Sequence, residues 1–261
     1  MSSEKKVYTC HTTYLSLRKT PSDGAEMVSM LLFGETYHIL ESKGDWHAVQ
    51  CTHDQYEGWV YCRKPIAKKI EVSGSVDLLA AGKMNNVFIR AYDYDLPLSP
   101  GSVLNAFDQE SRQVAFDNDF EEFSGKTVQP SPSNMYVLEN LIRPFLGTPY
   151  LWGGRSSFGI DCSGFTQVIM RFLGISIPRD AKPQSALGTA VDFAAAQKGD
   201  LAFFRNEEKH IYHVGILLNN HQIVHASEQV RIDSLTRQGI YRADIDRITH
   251  QDFFIKRLSF S

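Results

Sequence analysis

The sequence predicts an α+β protein in which a region of short β-strands precedes a region of helices and strands. In residues 1–130, short apolar and aromatic runs alternate with turn-forming clusters such as TPSDG, SKGD and THDQYEG, a pattern typical of small β-barrels. After residue 130, apolar residues first recur at helical spacing and then fall into strand-like runs. This order favours a domain in which helices pack against an antiparallel sheet.

The first region divides into two β-rich segments, which we predict to be domains at 1–66 and 67–130. The expected strands are VYTC, MVSMLLFG, TYHILES, WHAVQC and GWVYC in the first segment, and KKIEVSG, NVFIRAY, SVLNAF and RQVAF in the second. The stretch QPSPSN at 129–134, with two prolines among polar residues, is the clearest linker and precedes a third domain at 131–261.

Two helices and four strands are predicted in the third domain. YVLENLIRPFLG (136–147) carries apolar residues on one stripe, and DCSGFTQVIMRFLG (161–174) repeats them at i, i+3, i+4, i+7 and i+8. Asp161 or Ser163 can cap the second helix, and Gly174 ends it. The strand candidates are DLAFFR, HVGILL, IVHAS and FFIKRL.

Composition narrows the function. Of 261 residues, 43% are apolar and the net charge is −3, which suits a globular protein and argues against nucleic-acid binding. Four irregularly spaced cysteines argue against a disulfide scaffold or a paired CxxC zinc site. The polar start and the lack of a long apolar run predict no membrane span and a cytoplasmic protein if the N-terminus is native, or a periplasmic or secreted one if a leader was removed.

Cys162 is the first candidate for chemistry. It lies at the start of the second helix, after a loop that contains Gly153, Gly154 and Gly159. Free backbone N–H groups and the helix dipole at such a position are expected to lower the pKa of a thiol and to hold an oxyanion during acyl transfer. The alternative is a buried cysteine that acts as a small apolar residue.

His213 and His225 are the candidate bases. They flank a predicted hairpin, and with a loop of odd length they pair directly and point to one face, where one imidazole can orient the other. A two-residue loop would place them on opposite faces. Structural histidines, or a zinc site made with Cys162, remain alternatives, although we expect no metal or cofactor. His210, three residues before His213, would face the other way on a strand. The remaining histidines are interpreted as structural or surface residues: 11, 38, 47, 53, 221 and 250.

These residues lie in motifs that resemble a known family. TPYLWGGRSSFGIDCSGF, PRD, KGDLAFF and HVGILLNNHQIVHAS occur in the order found in the NlpC-type cell-wall cysteine peptidases. The resemblance implies a papain-like α+β core with Cys162 as nucleophile, His213 as base and His225 as the residue that orients it. It also implies that Tyr150 and the backbone amide of Cys162 help to stabilise the oxyanion, and that Trp152 forms a wall of the substrate site.

The upstream region resembles the bacterial SH3-like modules that precede this catalytic domain in γ-D-glutamyl-L-diamino-acid endopeptidases. Residues 1–66 would form one module, and residues 67–130 a second, divergent one. The resemblance implies that Glu35 in LLFGE and Tyr56 in QYEGW bind the amino end of the substrate together with Asp161 and Ser163. A carboxylate pair from Glu35 and Asp161 would select an ammonium group. The chain departs from the family at Ala181, where a serine is usual.

The resulting expectation is a monomeric cysteine peptidase that recycles cell-wall peptides. Its substrate would be a murein peptide with a free N-terminal L-Ala, cleaved between γ-D-Glu and diaminopimelate or Lys. One alternative is a broader hydrolase that acts on the intact wall and uses its SH3-like modules as tethers. Another is a non-catalytic protein that binds wall peptides.

Overall fold

The computed structural model describes residues 6–67, 78–82, 87–91, 94–116 and 119–259. The chain forms two compact units: residues 1–130 with Trp152–Phe158, and residues 131–151 with 159–261. The first unit is built from strands and the second combines helices with an antiparallel sheet, so the predicted α+β class is confirmed. The predicted strand KKIEVSG (68–74) lies outside the described residues.

A seven-stranded antiparallel sheet forms the start of the first unit. Its order is β3-β2-β6-β5-β4-β1-β7, with strands β1 Val7–Thr9, β2 Tyr14–Arg18, β3 Met27–Leu32, β4 Thr36–Lys43, β5 Trp46–Cys51, β6 Glu57–Tyr61 and β7 Ile66–Ala67. In β5, buried and half-buried side chains alternate, as expected for a strand with one face on a core. That core includes Leu17, Leu31, Tyr37, Val49 and Val60.

Two smaller sheets complete the strands of the first unit. Their orders are β10-β9-β13-β12 and β11-β8-β14, with strands β8 Leu78–Ala81, β9 Phe88–Ala91, β10 Tyr94–Pro97, β11 Val103–Leu104, β12 Gln113–Phe116, β13 Asp119–Ser124 and β14 Lys126–Val128. Their core includes Ile89, Leu98, Val114 and Phe123, and also Phe33, which directly follows β3. Among the described strands, none before residue 68 pairs with one after residue 77. The division at 66/67 into two modules stays a prediction.

The segment Trp152–Phe158 belongs to the first unit although it comes from the predicted third domain. It contains β15, Arg155–Ser156. The fully buried Arg155 donates two hydrogen bonds to the carboxylate of Glu35, at 2.8 and 3.1 Å, and one to the carbonyl oxygen of Met30 at 2.7 Å. Gly153 has a positive φ of 78°, and a Cβ there would lie 2.5 Å from the carbonyl oxygen of Met27, so only glycine fits this approach.

Of the two helices predicted at the start of the second unit, the one at 136–147 is only partly α-helical, whereas the one at 161–174 is confirmed. The first consists of α1, Leu138–Ile142, between 3₁₀ turns at Pro132–Val137 and Arg143–Phe145. Pro144 lacks a backbone N–H, which explains why this helix is broken into short turns. The second helix is α2, Cys162–Phe172, and a short helix that the sequence did not reveal is α3, Ala181–Gln184. No helix within the described residues has the length and hydropathy needed to cross a bilayer.

An eight-stranded antiparallel sheet forms the rest of the second unit. After β16 (Gly159–Ile160), its strands are β17 Thr189–Val191, β18 Leu201–Arg205, β19 Ile211–Asn219, β20 Gln222–Ser227, β21 Gln229–Thr236, β22 Gly239–Arg242, β23 Arg247–His250 and β24 Phe253–Arg257, in the order β17-β24-β18-β19-β20-β21-β22-β23. All four predicted strands are present. Helix α2 packs against β19 and β20, which carry the two candidate histidines.

Candidate active site

Cys162 is the first residue of α2, as predicted. Asp161 caps the helix, since its carboxylate accepts a hydrogen bond from the backbone N–H of Gly164 at 2.7 Å. The backbone N–H of Val214 donates to the Cys162 sulfur. The thiol therefore lies against β19 at the residue that follows His213.

The thiol differs from the sequence-based expectation in its pKa. Cys162 is buried, and burial together with the negative charge of Asp161 raises its pKa to about 12, against the lowering effect of the Val214 N–H. The expectation of a lowered pKa is wrong, because position at a helix start does not reveal how far water is excluded from the sulfur. At neutral pH the resting group is a thiol.

Asp161 and Ser163 belong to a buried network around Arg179. Arg179 donates to both carboxylate oxygens of Asp161, at 3.0 and 2.6 Å, and to the Ser163 hydroxyl at 2.9 Å. The Ser163 hydroxyl also donates to Asp161 at 3.2 Å. The sequence marked Arg179 only as part of a motif, and its ion pair fixes the cap of the helix that carries Cys162.

The two candidate histidines point to one face and meet. Nε2 of His213 and Nδ1 of His225 are 2.8 Å apart, and both residues are buried. The predicted direct pairing is wrong, because a register shift near the hairpin turn places Gly215 opposite His225. His213 lies two residues from Gly215 on the same face and reaches His225 diagonally. The absence of a side chain at Gly215 leaves room for this contact.

Asp233 on β21 continues the chain of hydrogen bonds, and no motif in the sequence points to it. Its Oδ2 lies 3.0 Å from Nε2 of His225 and accepts a 2.6 Å hydrogen bond from Nε of Arg231. Burial opposes ionisation of this carboxyl, but hydrogen bonds from His225 and Arg231 outweigh it and keep the pKa of Asp233 below its ordinary value. Asp233 is therefore a carboxylate at neutral pH.

A third imidazole, His250, packs against this pair, a contact that its place in the sequence does not reveal. Its ring centroid lies 4.2 Å from that of His213. Burial, with the positive charge that His225 would carry, lowers the pKa of His250 to about 4. Burial also lowers the pKa of His213 well below 6.5, and that of His225 despite the opposing effect of Asp233. The cluster is uncharged at neutral pH.

The zinc alternative can be weighed against these distances. Potential ligand atoms of His213, His225 and His250 all lie within 4.8 Å of one another. Two nitrogens on one tetrahedral zinc, with bonds of ~2.0–2.1 Å, are separated by about 3.4 Å. The 2.8 Å between His213 and His225 is a hydrogen-bond distance instead. The arrangement suits the sharing of a proton.

Tyr150 and Trp152 lie in different units. Burial raises the pKa of Tyr150, and the charges of Cys162 and Asp161 raise it further, so its hydroxyl lies near the thiol. Trp152 belongs to the first unit, is 62% exposed and donates from Nε1 to Glu26 at 2.9 Å. The role of Tyr150 at the oxyanion and that of Trp152 as a wall of the substrate site both stay predictions.

The carboxylates expected to select an ammonium group each face an arginine. Glu35 is buried against Arg155, and Asp161 against Arg179. Tyr56 is half-buried on the core of the seven-stranded sheet. A role in substrate binding for Glu35, Tyr56, Asp161 and Ser163 stays a prediction, and neither carboxylate is an unpaired charge that awaits a ligand.

Known proteins share this architecture and these motifs. Residues 147–248 match the NlpC/P60 family, and residues 17–62 match the bacterial dipeptidyl-peptidase Sh3 domain. A crystal structure of an NlpC/P60 family protein from Bacillus cereus has a TM-score of 0.75 at 22% identity, and the match covers 96% of this chain and 99% of that one. This similarity shows a shared fold over both units.

Relatives of known name extend the comparison to sequence. A gamma-D-glutamyl-L-lysine dipeptidyl-peptidase from Bacillus cereus is 29% identical over 243 residues, which cover 82% of this chain and 72% of that protein. A probable endopeptidase NlpC from Escherichia coli is 36% identical over 119 residues, which cover 45% of this chain and 72% of that protein. The resemblance inferred from the motifs is confirmed: the chain belongs to the NlpC/P60 family of cysteine peptidases.

Proposed function

We propose that this peptidase cleaves its substrate by attack of the Cys162 sulfur, with His213 as the base and His225 as the residue that orients it. The observation that carries the proposal is the buried chain His213–His225–Asp233, which begins on β19 beside the backbone that holds the thiol. A base oriented by a second group is the arrangement that activates a nucleophile in acyl transfer.

The reaction starts from a neutral thiol and a neutral imidazole, because burial disfavours both charged forms. As the sulfur bonds to the scissile carbonyl carbon, the thiol proton moves to His213, and the resulting imidazolium then protonates the leaving amine. Water, deprotonated by His213, hydrolyses the thioester and releases the acid and the free thiol. Backbone N–H groups at the start of α2 stabilise the oxyanion in both steps.

The substrate we propose is a peptidoglycan-derived peptide with a free N-terminal L-Ala, cleaved after γ-D-Glu. Two relatives named gamma-D-glutamyl-L-lysine dipeptidyl-peptidase, from Bacillus cereus and Bacillus subtilis, are each 29% identical over more than four fifths of this chain. The match of residues 17–62 to a dipeptidyl-peptidase Sh3 domain supports the same substrate class. Recycling of wall peptides is the cellular role that fits such a substrate.

Mass spectrometry of products from L-Ala-γ-D-Glu-L-Lys and from its diaminopimelate counterpart tests the proposal. We expect release of L-Ala-γ-D-Glu by the wild type and no release by Cys162→Ala. Cys62→Ala, which removes a half-buried thiol of the first unit, is the matched control and should retain activity. Turnover by Cys162→Ala at the wild-type rate would refute the mechanism.

Substrate acetylation tests the preference for a free amino end without altering the protein. An N-acetyl cap on the alanine should lower kcat/KM about 10²-fold or more if the enzyme recognises an ammonium group. Substitution of Glu35 is unsuitable for this question, because it would leave Arg155 buried without its partner. Equal rates with the acetylated and the free peptide, or release of fragments from intact cell wall, would favour the broader hydrolase.

A further inference from the structure

Asp233 lies outside the proposed catalytic triad of Cys162, His213 and His225. It lies on β21, directly beside β20, and is 7% exposed. Its Oδ2 is 3.0 Å from Nε2 of His225, on the side of that imidazole away from His213. A carboxylate can only accept a hydrogen bond, so this contact requires that Nε2 of His225 carry the proton.

We propose that Asp233 is a positioning residue that sets the tautomers of both triad histidines, an inference that rests on the proposed function of Cys162 and His213. With its proton on Nε2, His225 has a lone pair on Nδ1 and accepts the Nε2–H of His213 across 2.8 Å. The proton of His213 is thereby placed on Nε2. Its Nδ1 is left unprotonated, and this is the nitrogen that can take the thiol proton.

The reversed arrangement shows what Asp233 excludes. If Nδ1 of His225 carried the proton and donated to His213, the lone pair on Nε2 of His225 would face the Asp233 carboxylate. His213 would then be protonated on Nδ1 and its basic nitrogen would be occupied by His225. In this state the buried carboxylate of Asp233 would lose its charge-assisted hydrogen bond from Nε2 of His225, so the state is disfavoured.

A network of ion pairs holds the Asp233 carboxylate in place. Arg231 donates to its two oxygens at 2.6 and 2.9 Å and to both oxygens of Asp244 at 3.1 and 2.7 Å. Arg242 in turn binds Asp244 and the exposed carboxylate of Glu228. Arg231 thus holds both carboxylate oxygens of Asp233, including the Oδ2 that faces His225. The outermost ion pair can be altered without contact with the imidazoles.

Nitrogen-15 NMR of the histidine rings tests the proposal independently of activity. In Cys162→Ala protein we expect signals for His225 protonated on Nε2 and for His213 protonated on Nε2. Asp233→Ala should convert at least one ring to a mixture of tautomers. If His225 in the Cys162→Ala protein is protonated on Nδ1, the proposal is overturned even if every Asp233 variant fails to fold.

Kinetics with the murein peptide supplies the second readout. Asp233→Ala and Asp233→Asn should lower kcat about 10²-fold or more with little change in KM, because they alter proton transfer and not substrate binding. Glu228→Gln, the matched control, loses only the outer ion pair and should stay within about twofold of wild type. Wild-type kcat in both Asp233 variants would overturn the proposal, whereas activity in Cys162→Ala would refute the proposed function instead.

Discussion

At the scale of single residues, burial fixes the protonation of the catalytic cluster. Water is excluded from His213 and His225 and partly from His250, and a positive charge on His225 would disfavour a proton on either of the other two imidazoles. The carboxylate of Asp233 favours the charged form of an imidazole, and the imidazole that it contacts is that of His225. His213, the proposed base, consequently stays neutral to a lower pH than an exposed histidine does.

This shift predicts the acid limb of the pH profile. With the pKa of His213 well below its ordinary 6.5, kcat/KM should hold steady from pH 7 down through 6.5 and fall only in more acidic buffer. A profile recorded between pH 4 and 8 with a murein peptide provides the measurement. An acid limb centred at or above pH 6.5 would contradict the assignment of His213 as the base.

Stability should follow the same groups. Below pH 6.5 the unfolded chain takes up protons on these histidines while the folded chain does not, so the free energy of unfolding decreases as the pH falls. For His250 this loss is complete near its folded pKa of about 4. Thermal unfolding at the same pH values therefore separates lost activity from lost structure.

The sequence predicted the identity of the site residues better than their surroundings. A cysteine after a glycine-rich loop at a helix start, and two histidines of matching parity, are local signals that strand and helix periodicity can carry. Asp233 is close to His225 in sequence, on the next strand of a hairpin, but no motif or periodicity marks it. His250 meets His213 although their strands, β23 and β19, are not neighbours in the sheet. The exclusion of water from Cys162 also depends on segments distant in sequence, so the raised pKa of its thiol could not be predicted from the sequence.

At the scale of elements, the hairpin β19–β20 shows what parity can and cannot determine. Asn219 pairs with Gln222 across a two-residue turn, the case expected to put His213 and His225 on opposite faces, yet the two imidazoles meet on one face. The bulge between Leu217 and Asn219 then shifted the partner of His225 to Gly215. A bulge inserts one extra residue into a strand and increases the local twist. The alternation of apolar residues does not encode where such an insertion occurs.

Gly215→Ala tests the importance of that register. A Cβ at this position would lie 2.9 Å from Cβ of His225 and 2.7 Å from Cδ1 of Ile223, closer than side-chain carbons approach. We expect a loss of about 1–3 kcal/mol in the free energy of unfolding. Displacement of His225 should also lower kcat about tenfold or more, since small misplacements of catalytic groups are costly.

Gly24→Ala is the control for this substitution. A Cβ at Gly24 meets only the Ser22 hydroxyl, at 4.0 Å, and the backbone there does not need a positive φ. Activity and urea midpoint should stay at wild-type values in this variant. If Gly215→Ala behaves in the same way, the diagonal contact of His213 does not depend on the empty position opposite His225.

At the scale of the whole molecule, a stretch of the predicted catalytic domain is structurally part of the first unit. Composition placed a boundary at QPSPSN, where the contacts of the chain also divide, but it gave no sign that Trp152–Phe158 returns to the earlier unit. The returning segment contacts the earlier unit through Arg155 and Glu35, which are 120 residues apart in sequence. Pairings at such a distance leave no local pattern in a single sequence.

The buried pair makes a prediction for the stability of the first unit. Glu35→Ala leaves the Arg155 guanidinium without the carboxylate that binds two of its nitrogens, and removal of one partner of a buried ion pair costs about 3–5 kcal/mol. All three tryptophans, Trp46, Trp59 and Trp152, lie in this unit, so fluorescence during urea unfolding reports on it directly. The midpoint of the fluorescence transition of Glu35→Ala should move to a clearly lower urea concentration.

Glu26→Ala is the matched control, since Glu26 also contacts the returning segment through Trp152 Nε1 at 2.9 Å. The side chain of Glu26 is 43% exposed and its ion-pair partner Lys19 is exposed as well. Glu26→Ala should therefore lower the free energy of unfolding by less than about 1 kcal/mol. The double variant Glu35→Leu with Arg155→Leu removes both charges and should recover part of the stability that Glu35→Ala loses. Equal urea midpoints for Glu35→Ala and Glu26→Ala would show that the buried ion pair does not hold Trp152–Phe158 in the first unit.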